Sequence, residues 1–102
     1  MTFNGTEGAP IDITEASTLT TNYRNANPNG IKAFFMGRDI LLDILNQQGC
    51  MGIRVYYGLD NAGAQKLVFV GADANGDDLL GIIADKGVPC PVQCSKPNNL
   101  NS

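Results

Sequence analysis

The feature that most restricts the fold is a pair of β-rich runs separated by a turn segment. Residues 51–59 alternate between two faces, and residues 66–73 contain the run Leu-Val-Phe-Val. The residues between them include Asp60-Asn-Ala-Gly63, which are turn formers. We therefore predict an antiparallel β-hairpin with a loop of several residues. The first strand carries Ile53, Val55 and Tyr57 on one face and Arg54 and Tyr56 on the other.

Helical periodicity first occurs between residues 14 and 25. Apolar side chains recur there at i, i+3, i+7 and i+10, and either Asp12 or Thr14 can cap the helix. The segment Asn-Pro-Asn-Gly at 27–30 ends it, because the residue before a proline is disfavoured in the helical conformation. The predicted apolar face consists of Ala16, Leu19, Tyr23 and Ala26.

A second helix is predicted over residues 37–48. Its apolar side chains form a broad stripe, and its charged residues fall on the other side. Gly49 suits the left-handed conformation that follows a helix end. The stripe consists of Ile40, Leu41, Ile44 and Leu45.

Three shorter segments complete the chain. Residues 31–36 predict a short strand with apolar side chains on both faces, which indicates a buried position. Residues 79–84 predict either a third strand or a single helical turn, and periodicity does not decide between them. The first eleven residues lack periodicity, and residues 87–102 contain three prolines.

Together these segments predict a single small α+β domain over residues 1–102, with an irregular N-terminal arm (1–11) and an extended C-terminal tail (87–102). We expect a small mixed or antiparallel sheet containing the hairpin, with two helices packed on one face. A right-handed crossover through the second helix would join the strand at 31–36 to the strand at 51–59.

Charge and hydropathy argue against two classes of partner. The net charge is −3, and the seven basic residues are scattered along the chain, which does not favour nucleic acid. The longest apolar runs are far shorter than the ~20 residues that span a bilayer. The first residues do not resemble a secretory signal, so we expect a cytoplasmic location.

Three cysteines and no histidine limit the available chemistry. Cys50 follows the predicted second helix, whose negative end disfavours a thiolate, and no histidine can serve as the general base of a cysteine hydrolase. Thiolates of Cys50, Cys90 and Cys94 could still hold zinc or an iron–sulfur cluster. In the alternative that we favour, Cys50 is a small apolar residue and the other two cysteines are an ordinary pair in the tail. We expect that pair to be free thiols rather than a small disulfide loop.

The remaining motifs do not support catalysis. The segment Asp73-Ala-Asn-Gly-Asp-Asp78 begins like a calcium-binding loop but lacks its glycine at the sixth position and its glutamate at the twelfth. It therefore predicts a turn rich in Asp and Asn. No glycine cluster has the spacing of a phosphate-binding loop. We expect no enzymatic activity and no cofactor, with the three-thiolate site as the alternative.

Two resemblances are present. The Gly-Cys-x-Gly segment at 49–52 followed by a strand, with two cysteines near the end, is partly similar to the A-type iron–sulfur carriers. That resemblance implies cluster binding by Cys50, Cys90 and Cys94. The Gly-Cys-x-Gly-Ile-Arg and Pro-Cys-Pro-x-x-Cys segments also resemble a group of short uncharacterised bacterial proteins, over about residues 20–95. This second resemblance implies only that the three cysteines belong to one recurring design.

These patterns favour a non-enzymatic structural or interaction protein that self-associates through its sheet edges and terminal arms. A short hairpin-based sheet leaves edge strands that pair readily with another chain, so other copies of the same chain are the expected partners. Arg54 and Tyr56 are the predicted interface residues, because an exposed tyrosine beside an arginine is common at interfaces.

Overall fold

The computed structural model describes residues 2–101 and confirms the α+β fold class, with two helices and antiparallel strands. The hairpin and both helices form where they were predicted, and the segment at 79–84 is a strand. The elements are α1 (Ile13–Ala26), β1 (Ala33–Phe35), α2 (Arg38–Leu45), β2 (Gly52–Leu59), β3 (Gln65–Ala72), β4 (Asp78–Ala84) and β5 (Val88–Cys90).

The chain divides into two compact units that interleave in sequence. The first contains the segment up to Gly8 together with Met36–Gly87, and the second contains Ala9–Phe35 together with the residues from Val88 onward. The first unit thus holds α2, β2, β3 and β4, and the second holds α1, β1 and β5. The expectation of a single domain stays a prediction.

The first unit is built on an antiparallel sheet in the order β2-β3-β4. β2 and β3 pair without interruption, from Gly52 opposite Ala72 to Leu59 opposite Gln65. The pairing of β3 with β4 shifts register between Val70 and Gly71. On one face α2 packs against the sheet, and its Ile44 is fully buried. The sequence predicted either a mixed or an antiparallel sheet, and the sheet of this unit is antiparallel.

Both turns of this sheet are stabilised by an aspartate that caps its own loop. In the β2–β3 loop the Asp60 carboxylate accepts hydrogen bonds from the backbone N–H of Ala62 and Ala64, each at 2.9 Å. In the β3–β4 loop Asp73 does the same for Asn75 and Asp77. The Asp- and Asn-rich segment is therefore a turn, as its sequence predicted.

The second unit combines α1 with a two-stranded sheet. Asp12 caps α1 by accepting from the Glu15 N–H at 2.7 Å. β1 and β5 pair antiparallel, with Ala33 opposite Cys90. The final residues are fastened by side chains of this unit: Arg24 donates to the Leu100 carbonyl, and Lys32 Nζ donates to the Asn101 carbonyl at 3.1 Å.

Three details of the sequence reading were wrong. β1 pairs with β5 in a separate sheet, so no crossover joins it to β2 in one sheet. β1 is not a buried strand, because Phe35 is 67% exposed. Leu19 is 60% exposed, whereas Ala16, Thr20 and Tyr23 are half-buried. The less exposed face of α1 is therefore partly polar. The spacing of the apolar residues alone does not show which face of the helix is buried.

Candidate functional site

The outer edge of β2 is the most distinctive surface of the first unit. β2 is an edge strand with a single strand partner, β3, within its sheet. All eight of its residues are in regular register with β3, so the strand contains no bulge. Natural edge strands are usually blunted by bulges, prolines or charged side chains. β2 carries one charged residue, Arg54, and none of these features from Val55 to Leu59.

Exposed apolar side chains lie along one face of this edge strand. Alternation places Val55, Tyr57 and Leu59 on the same face, and we call these three residues the β2 stripe. All three are exposed: Tyr57 by 88% and Leu59 by 74%, with Val55 less so. Three adjacent exposed apolar side chains on an unpaired edge are typical of an interaction surface.

The β2 stripe is exposed because α2 is too short to cover it. A helix of eight residues is about 12 Å long, whereas a strand of eight residues is about 26 Å long. α2 covers the end of the sheet at Gly71, which lies opposite Ile53 and whose Cβ position faces Ile44 at 3.3 Å. Ile53 shares the face of the β2 stripe and is half-buried. The same face is thus partly covered near Ile53 and open at Tyr57 and Leu59.

The predicted interface residues, Arg54 and Tyr56, lie on the opposite face of β2 and are joined to β4. The Arg54 guanidinium forms an ion pair with Asp78 and also donates to the Gly76 carbonyl at 3.0 Å. The Tyr56 hydroxyl donates to the other oxygen of the Asp78 carboxylate. Asp78 therefore connects two side chains across the width of the sheet.

This cluster shifts the pKa values of its three members in consistent directions. The hydrogen bond from Tyr56, reinforced by Arg54, lowers the pKa of the Asp78 carboxyl. The same hydrogen bond raises the pKa of Tyr56, and the bond to Asp78 raises that of Arg54. The shifts favour the ion pair between Arg54 and Asp78 and the neutral phenol of Tyr56.

The N-terminal arm packs on this second face. The Phe3 N–H donates to the Ala74 carbonyl at 2.8 Å, and the Phe3 ring centre lies 5.7 Å from the Arg54 guanidinium carbon. Glu7 folds back to accept from the N–H groups of Asn4 and Gly5. These bonds, above all the one from Asn4, lower the pKa of Glu7.

A cavity of about 350 Å³ lies between the arm and the start of β2. Apolar groups of Phe3, Met51 and Ile53 line it together with the charged side chains of Glu7 and Arg54. Both charged groups are already satisfied within the chain, Glu7 by backbone N–H groups and Arg54 by Asp78. Both charged side chains at the cavity are therefore held by partners within the first unit.

The three cysteines are divided between the two units. Cys90 and Cys94 form a disulfide in the second unit, with their Cα atoms 4.8 Å apart. The structure thus contains the small disulfide loop and not the free thiols that we expect from the sequence. Cys50 is a free, half-buried thiol in the first unit, and its Sγ lies 3.2 Å from the Gly52 carbonyl. Two bonded sulfur atoms are not thiolates, so a three-thiolate site would require the reduced form and stays a prediction.

Residues 2–101 contain no cluster of three or more His, Cys, Asp or Glu side chains arranged to hold a metal ion. Over the same range, neither helix has the length and apolar character that crossing a bilayer requires.

No family model matches the sequence, and comparisons with curated proteins and solved structures gave no significant match.

Sequence reasoning missed Tyr57, Leu59 and Asp78. The alternation of β2 groups Tyr57 with Ile53 and Val55, whereas the predicted interface was placed on the face of Arg54 and Tyr56. The length of the second helix was the available signal, because a short helix cannot cover a longer strand. The position of Asp78 beside Arg54 depends on the register of β4 and had no signal in the sequence.

Proposed function

We propose that this protein is a non-enzymatic structural or interaction protein that self-associates by pairing the free edge of β2 with that of another copy. The observation that carries this proposal is the β2 stripe, in which Tyr57 and Leu59 are exposed on a regular edge strand. Edge-to-edge pairing satisfies backbone N–H and C=O groups and buries the stripe at the same time.

The other edge of the sheet is less suited to this role. β4 also carries exposed apolar residues, and Leu80 is 70% exposed. The register of β4 breaks between its pairings with Val70 and Gly71, and Gly81 lies within the irregular part. An irregular strand presents fewer backbone groups at the spacing that a partner strand requires. We therefore assign self-association to β2.

The terminal arms enter the proposal as supports within each copy. Phe3 is bonded to the β3–β4 loop, and the chain end is held by Arg24 and Lys32. These contacts are made inside one chain, so the arms need no second copy to be ordered. The association that we propose accordingly depends on the sheet edge.

Together with this function we propose that the protein has no enzymatic activity and is cytoplasmic. The charged side chains at the cavity and the side chains of the Asp78 cluster all have hydrogen-bond partners within the chain, which supports a non-catalytic role. A cytoplasmic location would keep Cys90 and Cys94 reduced, whereas a persistent disulfide favours an oxidising compartment. Alkylating the thiols during lysis of the native cells separates these two cases.

Light scattering over a range of protein concentrations tests the proposed function. We expect the molar mass to rise from that of one 10.8 kDa chain toward twice this value as concentration increases. Tyr57→Lys should abolish the increase, because a lysine on an edge strand opposes pairing. Leu80→Lys, a change of similar exposure on the other edge, is the matched control and should leave the increase intact. A strict monomer at all concentrations would refute the proposal.

A further inference from the structure

We infer that two copies pair along β2 in an antiparallel, two-fold register in which Tyr57 lies opposite Tyr57 of the second copy. This inference rests on the proposed self-association and specifies its partner and geometry. A two-fold pair of identical strands is isologous, so one residue must lie opposite itself. The question is which residue of β2 lies on the axis.

The β2 stripe favours Tyr57 because it is the central residue of the three. With Tyr57 on the axis, Val55 lies opposite Leu59 of the second copy, and Leu59 lies opposite Val55. Facing residues in an antiparallel pair have side chains on the same face, so all three exposed side chains gain an apolar partner. An axis at Val55 would instead place Leu59 opposite Met51, which precedes the strand.

The other face of β2 is compatible with the same register. Tyr56 falls opposite Gly58 of the second copy, which has no side chain to obstruct the ring. Arg54 falls opposite Asp60 of the second copy, at the end of the strand, so no like charges face each other. Both side chains keep their partners within the chain, Asp78 for Arg54 and the N–H groups of its own loop for Asp60. Like charges directly across a strand pair would oppose pairing.

α2 lies away from the part of β2 that would pair with the second copy. α2 covers the sheet near Gly71 and Ile53, at the end of β2 away from Leu59. In the two-fold arrangement both α2 helices lie on the same face, at opposite ends of the paired β2 stripes. The two three-stranded sheets would then form one six-stranded antiparallel sheet, with four interior strands.

Cysteine crosslinking in a Cys50→Ala background tests the register. Facing residues have Cα atoms about 4.5–5.5 Å apart, within the range of a disulfide. We expect Tyr57→Cys to give a covalent dimer on mild oxidation. Leu59→Cys alone should give none, because two copies of residue 59 would be about 13 Å apart. A mixture of Val55→Cys and Leu59→Cys chains, which keeps Tyr57, should give a mixed dimer.

The outcomes separate the register from the proposed function. If wild-type protein dimerises by light scattering but neither Tyr57→Cys nor the mixture crosslinks, the register is wrong and self-association stands. A covalent dimer from Leu59→Cys alone would also overturn the register. If Leu80→Cys crosslinks instead, β4 is the paired edge and the inference fails. A monomeric wild-type protein would remove both the inference and the proposed function.

Discussion

Gly71 of β3 lies directly under the thiol of Cys50: a Cβ at position 71 would be 2.9 Å from Cys50 Sγ. It would also be 3.0 Å from Gln47 Nε2 and 3.3 Å from a methyl of Ile44. Real Cβ contacts are longer than the first of these, so this position admits only glycine without a shift. The free thiol therefore acts here as a packing group where the turn after α2 meets the sheet.

Gly71→Ala should destabilise the protein by about 1–3 kcal/mol, because the added methyl group overpacks this contact. The free energy of unfolding from urea denaturation measures it. Gly52→Ala on β2 is the control, since no atom other than those of Gly52 and its two chain neighbours lies within 4 Å of its Cβ position. Adding Cys50→Ala to Gly71→Ala should recover part of the loss. Equal unfolding midpoints for Gly71→Ala and Gly52→Ala would contradict the packing described.

Asp78→Asn should weaken the contacts that Arg54 and Tyr56 of β2 make with β4, and it should make the free energy of unfolding less dependent on pH. The lowered pKa of Asp78 means that its contribution exists above about pH 4 and is lost as pH falls through the folded-state value. The raised pKa of Tyr56 means that its contribution exists below about pH 10 and is lost as pH rises through the folded-state value.

The ultraviolet absorbance of tyrosinate measures the pKa of Tyr56 directly. Subtracting the titration of Tyr56→Phe from that of the wild type isolates Tyr56, whose pKa should lie above its usual range. In Asp78→Asn the Tyr56 titration should move down toward the usual range. Asp77→Asn, a neighbouring change outside the cluster, should leave it in place. A Tyr56 titration that is the same in wild type and Asp78→Asn would show that the hydrogen bond is absent in solution.

Phe3→Ala should loosen the N-terminal arm and lower the free energy of unfolding by about 1 kcal/mol. The ring loses its contact with the Arg54 guanidinium and part of its apolar burial. Phe35→Ala is the control, because its side chain is mostly exposed and should contribute less than about 0.5 kcal/mol. Equal effects of the two changes in urea denaturation would show that the Phe3 ring does not stabilise the arm.

The disulfide predicts a thiol count that depends on reduction. Unfolded but unreduced protein should react with one equivalent of an alkylating reagent, at Cys50, and reduced protein with three. Cys94→Ser should lower the stability of the second unit by about 2 kcal/mol, the value expected for a small loop. A reductant should produce the same loss in the wild type and none in Cys94→Ser. Three reactive thiols without reduction would contradict the disulfide.

The elements that the sequence predicted are those encoded by local patterns. The β2–β3 hairpin follows from alternation and from Asp60, whose carboxylate closes the loop with two hydrogen bonds. β4 was ambiguous because a short apolar run has the same appearance in a strand and in a helical turn. The pairing of Ala33 with Cys90 joins distant parts of the chain, and no local pattern specifies it.

The candidate surface lies on β2, the strand that carries the predicted interface residues, but on its other face. Arg54 and Tyr56 were chosen as the outward face of β2, and their side chains are bound to Asp78. Tyr57, on the face opposite Arg54 and Tyr56, was not among the predicted interface residues, yet it is the most exposed residue of the strand. The difference arises because alternation assigns a residue to a face, whereas the length of α2 decides which part of that face is covered.

Hydrogen exchange of the β2 backbone amides, measured at low and high protein concentration, reports whether the β2 edges of two copies pair. Pairing of two β2 edges protects the amides that face outward, so their exchange should slow as concentration rises, while the amides of β4 should not change. Tyr57→Lys should remove this dependence. Outward-facing β2 amides that exchange at the same rate at every concentration would contradict self-association through this edge.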